Sequence, residues 1–183
     1  MKGVSAPFFL GEKDVRKWRF DFCEGSFRYG AGHPGFYWDY SHVAIFLDGF
    51  VYHATNEVGV ICQKLRDFLE PACLYDLYLY SKIDIQKVKK RANQHLGAPY
   101  NFAFYPDGSG FYCSQYIAEI LPIFETIPMQ FGDGEQEISD FWREYYRKLE
   151  LPVPLNQPGT NPSQLAASPL LECKERNLHD SDF

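Results

Sequence analysis

The sequence predicts an α+β domain in which an antiparallel sheet packs against helices. Three observations carry that expectation. An Asp48-Gly49 pair sits between two apolar runs, a strong short-range hairpin signal. Strand-like segments come first and helix-like ones follow, as in folds that segregate the two. The 183 residues are enough for one core and no internal repeat divides them, so a single domain over 1–183 is expected.

Residues 1–36 resist assignment. Trp18 to Phe22 alternates like a strand, and Gly30 to Gly35 reads as a loop with His33 solvated in it. The hairpin follows as YSHVAIFLDGFVYHAT, Tyr40 to Thr55. Counting outward from the turn sets Leu47 opposite Phe50, Ile45 opposite Tyr52, Ala44 opposite His53 and His42 opposite Thr55. One face then carries Val43, Ile45, Leu47, Phe50, Tyr52 and Ala54, which suits a core. The other carries His42, Ala44, Phe46, Val51, His53 and Thr55, with the two histidines as diagonal neighbours roughly 7 Å apart at the backbone.

A further strand is expected over Val58 to Cys62 and a helical turn over Leu65 to Leu69, ended before Pro71. The tyrosine-rich run Leu74 to Tyr80 reads as β. Asp84 to Leu96 reads as an amphipathic helix with Ile85, Val88, Ala92 and Leu96 on one stripe; Gly97 stops it, Pro99 breaks the chain, and His95 near its end is structural. Asn101 to Gly110 is a loop. Phe111 to Ser114 leads into a helix that ends before Pro122. Ile138 to Leu149 is a helix amphipathic through Phe141, Trp142, Tyr145 and Leu149. Beyond Leu151 the chain is expected to wrap over the domain without regular structure, with 172–183 as a flexible tail.

Composition narrows the function. A net charge of −6 argues against a nucleic-acid or anionic-membrane surface, and the basic run Lys87 to Arg91 is the solvated face of a helix. No segment reads as a membrane span, so no stable membrane insertion is expected. The start has too short an apolar stretch for a secretory signal, which implies a cytoplasmic protein or an exported one whose signal is already gone. Cys23, Cys62, Cys73, Cys113 and Cys173 are odd in number and contain no Cys-x-x-Cys pair, which fits neither a disulfide framework nor a structural zinc site. The aromatic share of 17% suits an aromatic-lined cleft as well as a core.

Cys113 is the candidate nucleophile. It opens a helix, where aligned amides favour a thiolate. A cysteine nucleophile needs an imidazole to take its proton and a third group to orient that imidazole, and His42 and His53 on one strand face can supply both. The competing readings are two polar residues on a half-exposed sheet, or a zinc site of His42, His53 and Cys113 that lacks a fourth ligand.

Taken together, YSHVAIFLDGFVYHA, LGAPYNFAF from Leu96 and FYCSQYIAEI from Phe111 resemble the YiiX/YebB-like permuted papain-like cysteine peptidases. That family belongs to the NlpC-type superfamily, which also contains lecithin–retinol acyltransferase. The tail VPLNQPGTNPSQLAASPLL is similar as well, so the resemblance spans residues 37–171. It implies a circularly permuted papain-like fold with Cys113 as nucleophile, His42 as base and His53 as the orienting group, where close relatives often carry glutamate and the acyltransferase branch histidine. Ala44 and Gln115 stand where glycine and glutamate are common.

The implied chemistry is thiol acyl transfer without metal or cofactor, on a small peptide, an acyl-amino acid or a lipid-like substrate. An amidase acting on peptidoglycan-type peptides or N-acyl amino acids is the first expectation. An acyltransferase or lipase is the second, and a binding module without turnover the third. Tyr100, Tyr112 and Ser114 flank the site in sequence as candidate substrate contacts, with core tyrosines as the alternative.

Overall fold

The computed structural model describes residues 8–14, 40–69 and 73–183. Trp18 to Phe22, the Gly30 to Gly35 loop with His33, and Cys23 lie outside the described residues. Six strands form one antiparallel sheet: β1 (Phe8–Asp14), β2 (His42–Leu47), β3 (Phe50–Thr55), β4 (Gly59–Lys64), β5 (Cys73–Leu79) and β8 (Glu172–Leu178), in the order β4-β3-β2-β1-β5-β8. A second, two-stranded pairing joins β6 (Ile127–Pro128) to β7 (Pro158–Gly159). The helices are α1 (Leu65–Phe68), α2 (Ile85–Gln94), α3 (Cys113–Ile120), α4 (Asp140–Leu149) and α5 (Pro162–Ala166). No helix among the described residues is long and apolar enough to cross a membrane.

The hairpin forms as its turn chemistry demands. Asp48 and Gly49 both have positive φ, 50° and 88°, which is the type I′ turn that matches strand twist. Leu47 pairs with Phe50 and Ile45 with Tyr52, the expected register. On the face toward α2 and α3, Val43, Ile45, Leu47, Tyr52, Ala54 and Val60 pack with Val88, Ala92, Tyr116, Ile117 and Ile120. Phe50 is the exception, 40% exposed beside the turn. The other face is covered too: Ala44 and Val51 pack against Phe68 of α1 and Tyr75 of β5.

Two strands depart from expectation. β1 lies between β2 and β5, yet FFLGEKD shows no strand alternation in sequence. β8, expected as flexible tail, pairs with β5 at the sheet edge. Its anchor is Asp76, fully buried in β5. The Asp76 carboxylate accepts from the Tyr40 hydroxyl and from the Asn177 amide at 2.9 Å, and Arg176 stands 3.4 Å away. Tyr40 also meets the Tyr78 hydroxyl at 2.7 Å. Burial first, then the Asp76 hydrogen bond, hold the Tyr40 phenol far above its ordinary pKa.

α2 begins at Asp84, whose carboxylate caps the Lys87 amide at 3.1 Å. It ends at Gln94, two residues short of Leu96, so Leu96 leaves the apolar stripe and is 43% exposed. His95 holds the structural place expected of it, 3.7 Å from Glu119 and ring-to-ring with Phe111. In α4 the buried pair is Trp142 and Tyr146, while Leu149 is 37% exposed.

Gly97 to Asn101 forms a clasp between β4 and the start of α3. Val60 donates to the Ala98 carbonyl and accepts from Gly97, both at 2.9 Å. Phe111 donates to the Pro99 carbonyl at 3.0 Å and accepts from Asn101 at 3.2 Å. Glycine is required on both sides. A Cβ on Gly59 would lie 2.1 Å from the Ala98 oxygen, and one on Gly110 would lie 1.9 Å from the Pro99 oxygen; both residues have positive φ.

Two stability outcomes follow from these contacts. Gly110→Ala combines left-handed strain with a backbone clash and should lose more than about 2 kcal/mol by urea denaturation. Gly49→Ala shares the positive φ but meets nothing within 4 Å, so it should lose only about 1 kcal/mol; equal losses would show that the clasp is not tight. Asp76→Ala removes the buried carboxylate to which the Tyr40 hydroxyl and the Asn177 amide donate and should cost about 3 kcal/mol in the same assay.

Candidate active site

The two histidines stand where the sheet opens. The β2–β3 ladder runs from Leu47–Phe50 to Ile45–Tyr52 and stops there. Each strand continues with its other neighbour, β2 with β1 as far as His42 and β3 with β4 as far as Thr55. The expected pairs Ala44–His53 and His42–Thr55 are therefore not ladder pairs. The side chains bridge the opening instead: His42 Nε2 and His53 Nδ1 are 2.9 Å apart, with ring centroids at 5.2 Å and planes at 78°. His42 presents Nε2, which leaves Nδ1 on the other side of the ring.

Both imidazoles are buried, at 9% and 5% exposure, which overturns a half-exposed sheet face. Phe68 is the apolar surface they share, its ring 6.3 Å from that of His42 and 5.0 Å from that of His53. Burial lowers the His42 pKa to about 3, with the neighbouring His53 adding to the effect, and burial alone lowers that of His53 to about 4. At neutral pH the pair is uncharged, one ring donating and the other accepting. His53 Nε2 is the one buried side-chain nitrogen or oxygen without a hydrogen-bond partner among the described residues.

Cys113 is the first residue of α3 and is buried, 6% exposed. α3 packs against both β2 and β3. The thiol shares a core cluster with Val43 and Ala54, the chain neighbours of His42 and His53. Alternation along the strands sends Val43 and Ala54 toward α3 and the imidazoles toward Phe68. Cys62 and Cys173 are also free thiols, in neither case at a helix start.

The first turn of α3 is held from two sides. Gln115 accepts from the Tyr112 amide at 3.3 Å and from Asn101 Nδ2 at 3.1 Å, and it donates to the Pro106 carbonyl at 3.4 Å. On the other side, Thr160 donates through its amide to the Tyr112 hydroxyl at 3.1 Å and through its hydroxyl to Ser114 Oγ at 3.2 Å. Tyr112 and Ser114 are buried and committed to Thr160. Of the three expected substrate contacts, Tyr100 lines a cleft of about 440 Å³ whose walls include Asn101, Phe102, Asp107, Ser109 and Leu151. Sequence reading missed Thr160, Asn101 and Phe68; only the spacing of Asn101 ahead of Cys113 hinted at a place near the helix.

Among the described residues no group of three His, Cys, Asp or Glu side chains could hold a metal ion. The paired imidazole nitrogens are bonded to each other at 2.9 Å, closer than the roughly 3.3 Å that two nitrogens on one tetrahedral zinc must keep.

The lowered histidine pKa values give a signed stability prediction. Unfolded histidines protonate near pH 6.5 and these two do not until about pH 4 and 3, so the native state binds fewer protons in between. Stability is fully present above pH 6.5 and falls as the pH drops toward 4, by up to about 1.4 kcal/mol per pH unit for each histidine. Urea denaturation at pH 7 and 5.5 should show a smaller drop in His53→Gln than in the parent; an identical drop would mean that His53 is not buried neutral.

A family model described as "Permuted papain-like amidase enzyme, YaeF/YiiX" matches residues 31–173. No curated protein sequence matches the chain. Among solved structures, one from Escherichia coli O157:H7, described as metalloprotein yiiX, superposes with a TM-score of 0.68 at 15% identity, covering 94% of this chain and 97% of its own. At that identity the likeness shows the fold, and the fold is the permuted papain-like α+β arrangement.

Proposed function

The chain belongs to the permuted papain-like amidase family, a cysteine hydrolase family, and from that premise we propose an amidase working through Cys113, His42 and His53. The single observation that carries this reading is the buried, neutral His42–His53 pair, bonded Nε2 to Nδ1 on the strands against which the Cys113 helix packs. The reading requires the Cys113 thiol to reach His42 through the opening where β2 and β3 part.

The proposed steps use these residues alone. His42 Nδ1 takes the thiol proton as sulfur attacks the amide carbonyl, and His53 accepts the Nε2–H of the forming imidazolium. The Cys113 amide at the start of α3 stabilises the oxyanion. His42 returns its proton to the leaving nitrogen, the C–N bond breaks and a thioester remains. Water, deprotonated by His42, then cleaves the thioester to a carboxylic acid and restores the thiol. Tyr100 and the mixed polar and aromatic cleft beside it suit a peptide or an N-acyl amino acid. The cleft's floor residue, Asn101, is bonded to Gln115 two positions after the nucleophile. The solved relative is described as a metalloprotein; among the described residues of this chain no three His, Cys, Asp or Glu side chains come together as metal donors, and the steps above use protein groups alone.

The test is hydrolysis of a panel of dipeptides and N-acyl amino acids, with trapped acyl-enzyme identified by mass spectrometry. Cys113→Ala should abolish turnover while folding stays cooperative, and His42→Ala should lower kcat by roughly 10²–10⁴. His53→Glu should keep part of the activity that His53→Ala loses. Turnover in Cys113→Ala would overturn the reading, and so would an acyl group trapped on another cysteine.

A further inference from the structure

A neutral His–His pair can share its proton in two ways, and only one of them serves a base at His42. In the first, His42 donates from Nε2 to His53 Nδ1. His42 Nδ1 is then a free lone pair, and His53 carries its proton on Nε2. In the second, His53 donates from Nδ1 to His42 Nε2. His42 then holds a proton on Nδ1 and cannot accept one there, while His53 Nε2 is a bare lone pair. What surrounds His53 Nε2 therefore selects between them. Among the described residues nothing polar does: the atom is buried and has no hydrogen-bond partner there.

What does face His53 is Phe68. The two rings are perpendicular, at 86°, with centroids 5.0 Å apart. A ring nitrogen lies on the rim of the imidazole, and in this perpendicular packing an imidazole edge directed at the phenyl face would bring it to roughly 3.8 Å from the phenyl centre, within N–H···π range. The phenyl face is electron-rich. It attracts an N–H and repels a lone pair, so it favours the first arrangement on both counts. Phe68 is itself fixed, 5% exposed and packed among Ala44, Val51 and Tyr75.

We propose that Phe68 is a positioning residue that sets the tautomer of the histidine pair: its ring receives the Nε2–H of His53, which keeps His53 Nδ1 an acceptor and His42 Nδ1 unprotonated. The proposal rests on the amidase reading for its consequence but not for its test.

The test is long-range ¹H–¹⁵N NMR of the histidine rings, with Phe68→Leu removing the aromatic face, Phe68→Met as a second apolar replacement of similar volume, and Phe68→Tyr restoring the face. The parent and Phe68→Tyr should show Nδ1 of both His42 and His53 as unprotonated nitrogens and both Nε2 as protonated. In Phe68→Leu and Phe68→Met the His53 Nε2 signal should shift toward the unprotonated position and His42 Nδ1 toward the protonated one. Turnover should fall in kcat by roughly tenfold with KM unchanged, part of the 10²–10⁴ that a positioned base supplies. A parent with His42 Nδ1 protonated overturns the proposal, as do folded Leu and Met variants with parental signals. The spectra read the same in a Cys113→Ala background, so a correct tautomer combined with undiminished turnover there would defeat the amidase reading and leave this one standing.

Discussion

Two imidazoles cannot be removed from water cheaply unless they hydrogen-bond to each other, and the 2.9 Å contact between His42 and His53 is the constraint around which this end of the sheet is arranged. Each ring satisfies one nitrogen of the other, and both give up their charge to be buried. The strands that carry them must part at that level, because ladder pairing of Ala44 with His53 would close the opening the rings span. Covering the pair then requires an apolar lid on a face that a hairpin alone would leave wet. Phe68, carried by the one-turn helix α1 directly after β4, supplies it.

The start of α3 answers a different demand. A thiol at the first helical residue gains from the backbone dipole only if the turn is held still, and three separate segments hold it. The Gly97–Asn101 clasp fixes Phe111, Gln115 ties the turn to Asn101 and Pro106, and Thr160 reaches Tyr112 and Ser114 from the far end of the chain. Gln115 illustrates why the amide suits this chain where relatives often carry glutamate. It accepts two hydrogen bonds and donates a third to the Pro106 carbonyl, which a carboxylate could not do.

Much of this was legible in the sequence because it is local. Asp48-Gly49 dictated a type I′ turn, and its register placed both histidines on one face. The order of motifs around His42, His53 and Cys113 pointed to the family that the chain proves to join. What sequence reading could not reach depends on partners far away in the chain. β1 has no alternating pattern, and what places it is backbone pairing with β2 on one side and β5 on the other. β8 is polar along most of its length and is held by the buried Asp76, a hundred residues earlier. Leu96 fits the helical stripe by count, but the helix ends before reaching it. The parting of β2 and β3 leaves no mark in either strand's pattern, since it comes from the rings that fill it.

A histidine in the third position, in place of the glutamate common among relatives, alters the energetics of the pair as well as its shape. A carboxylate would stabilise an imidazolium at rest by direct charge attraction and raise its pKa. His53 is neutral, so it offers His42 a lone pair and no charge, and burial pulls both rings the other way. An ion pair of thiolate and imidazolium therefore has little support before substrate arrives. In the proposed amidase, proton transfer from Cys113 would then accompany attack on the carbonyl, as the developing oxyanion draws on the α3 amides. On that view the direction of the His42–His53 hydrogen bond matters more than its strength, because only one direction leaves His42 Nδ1 the lone pair that the proposed base needs.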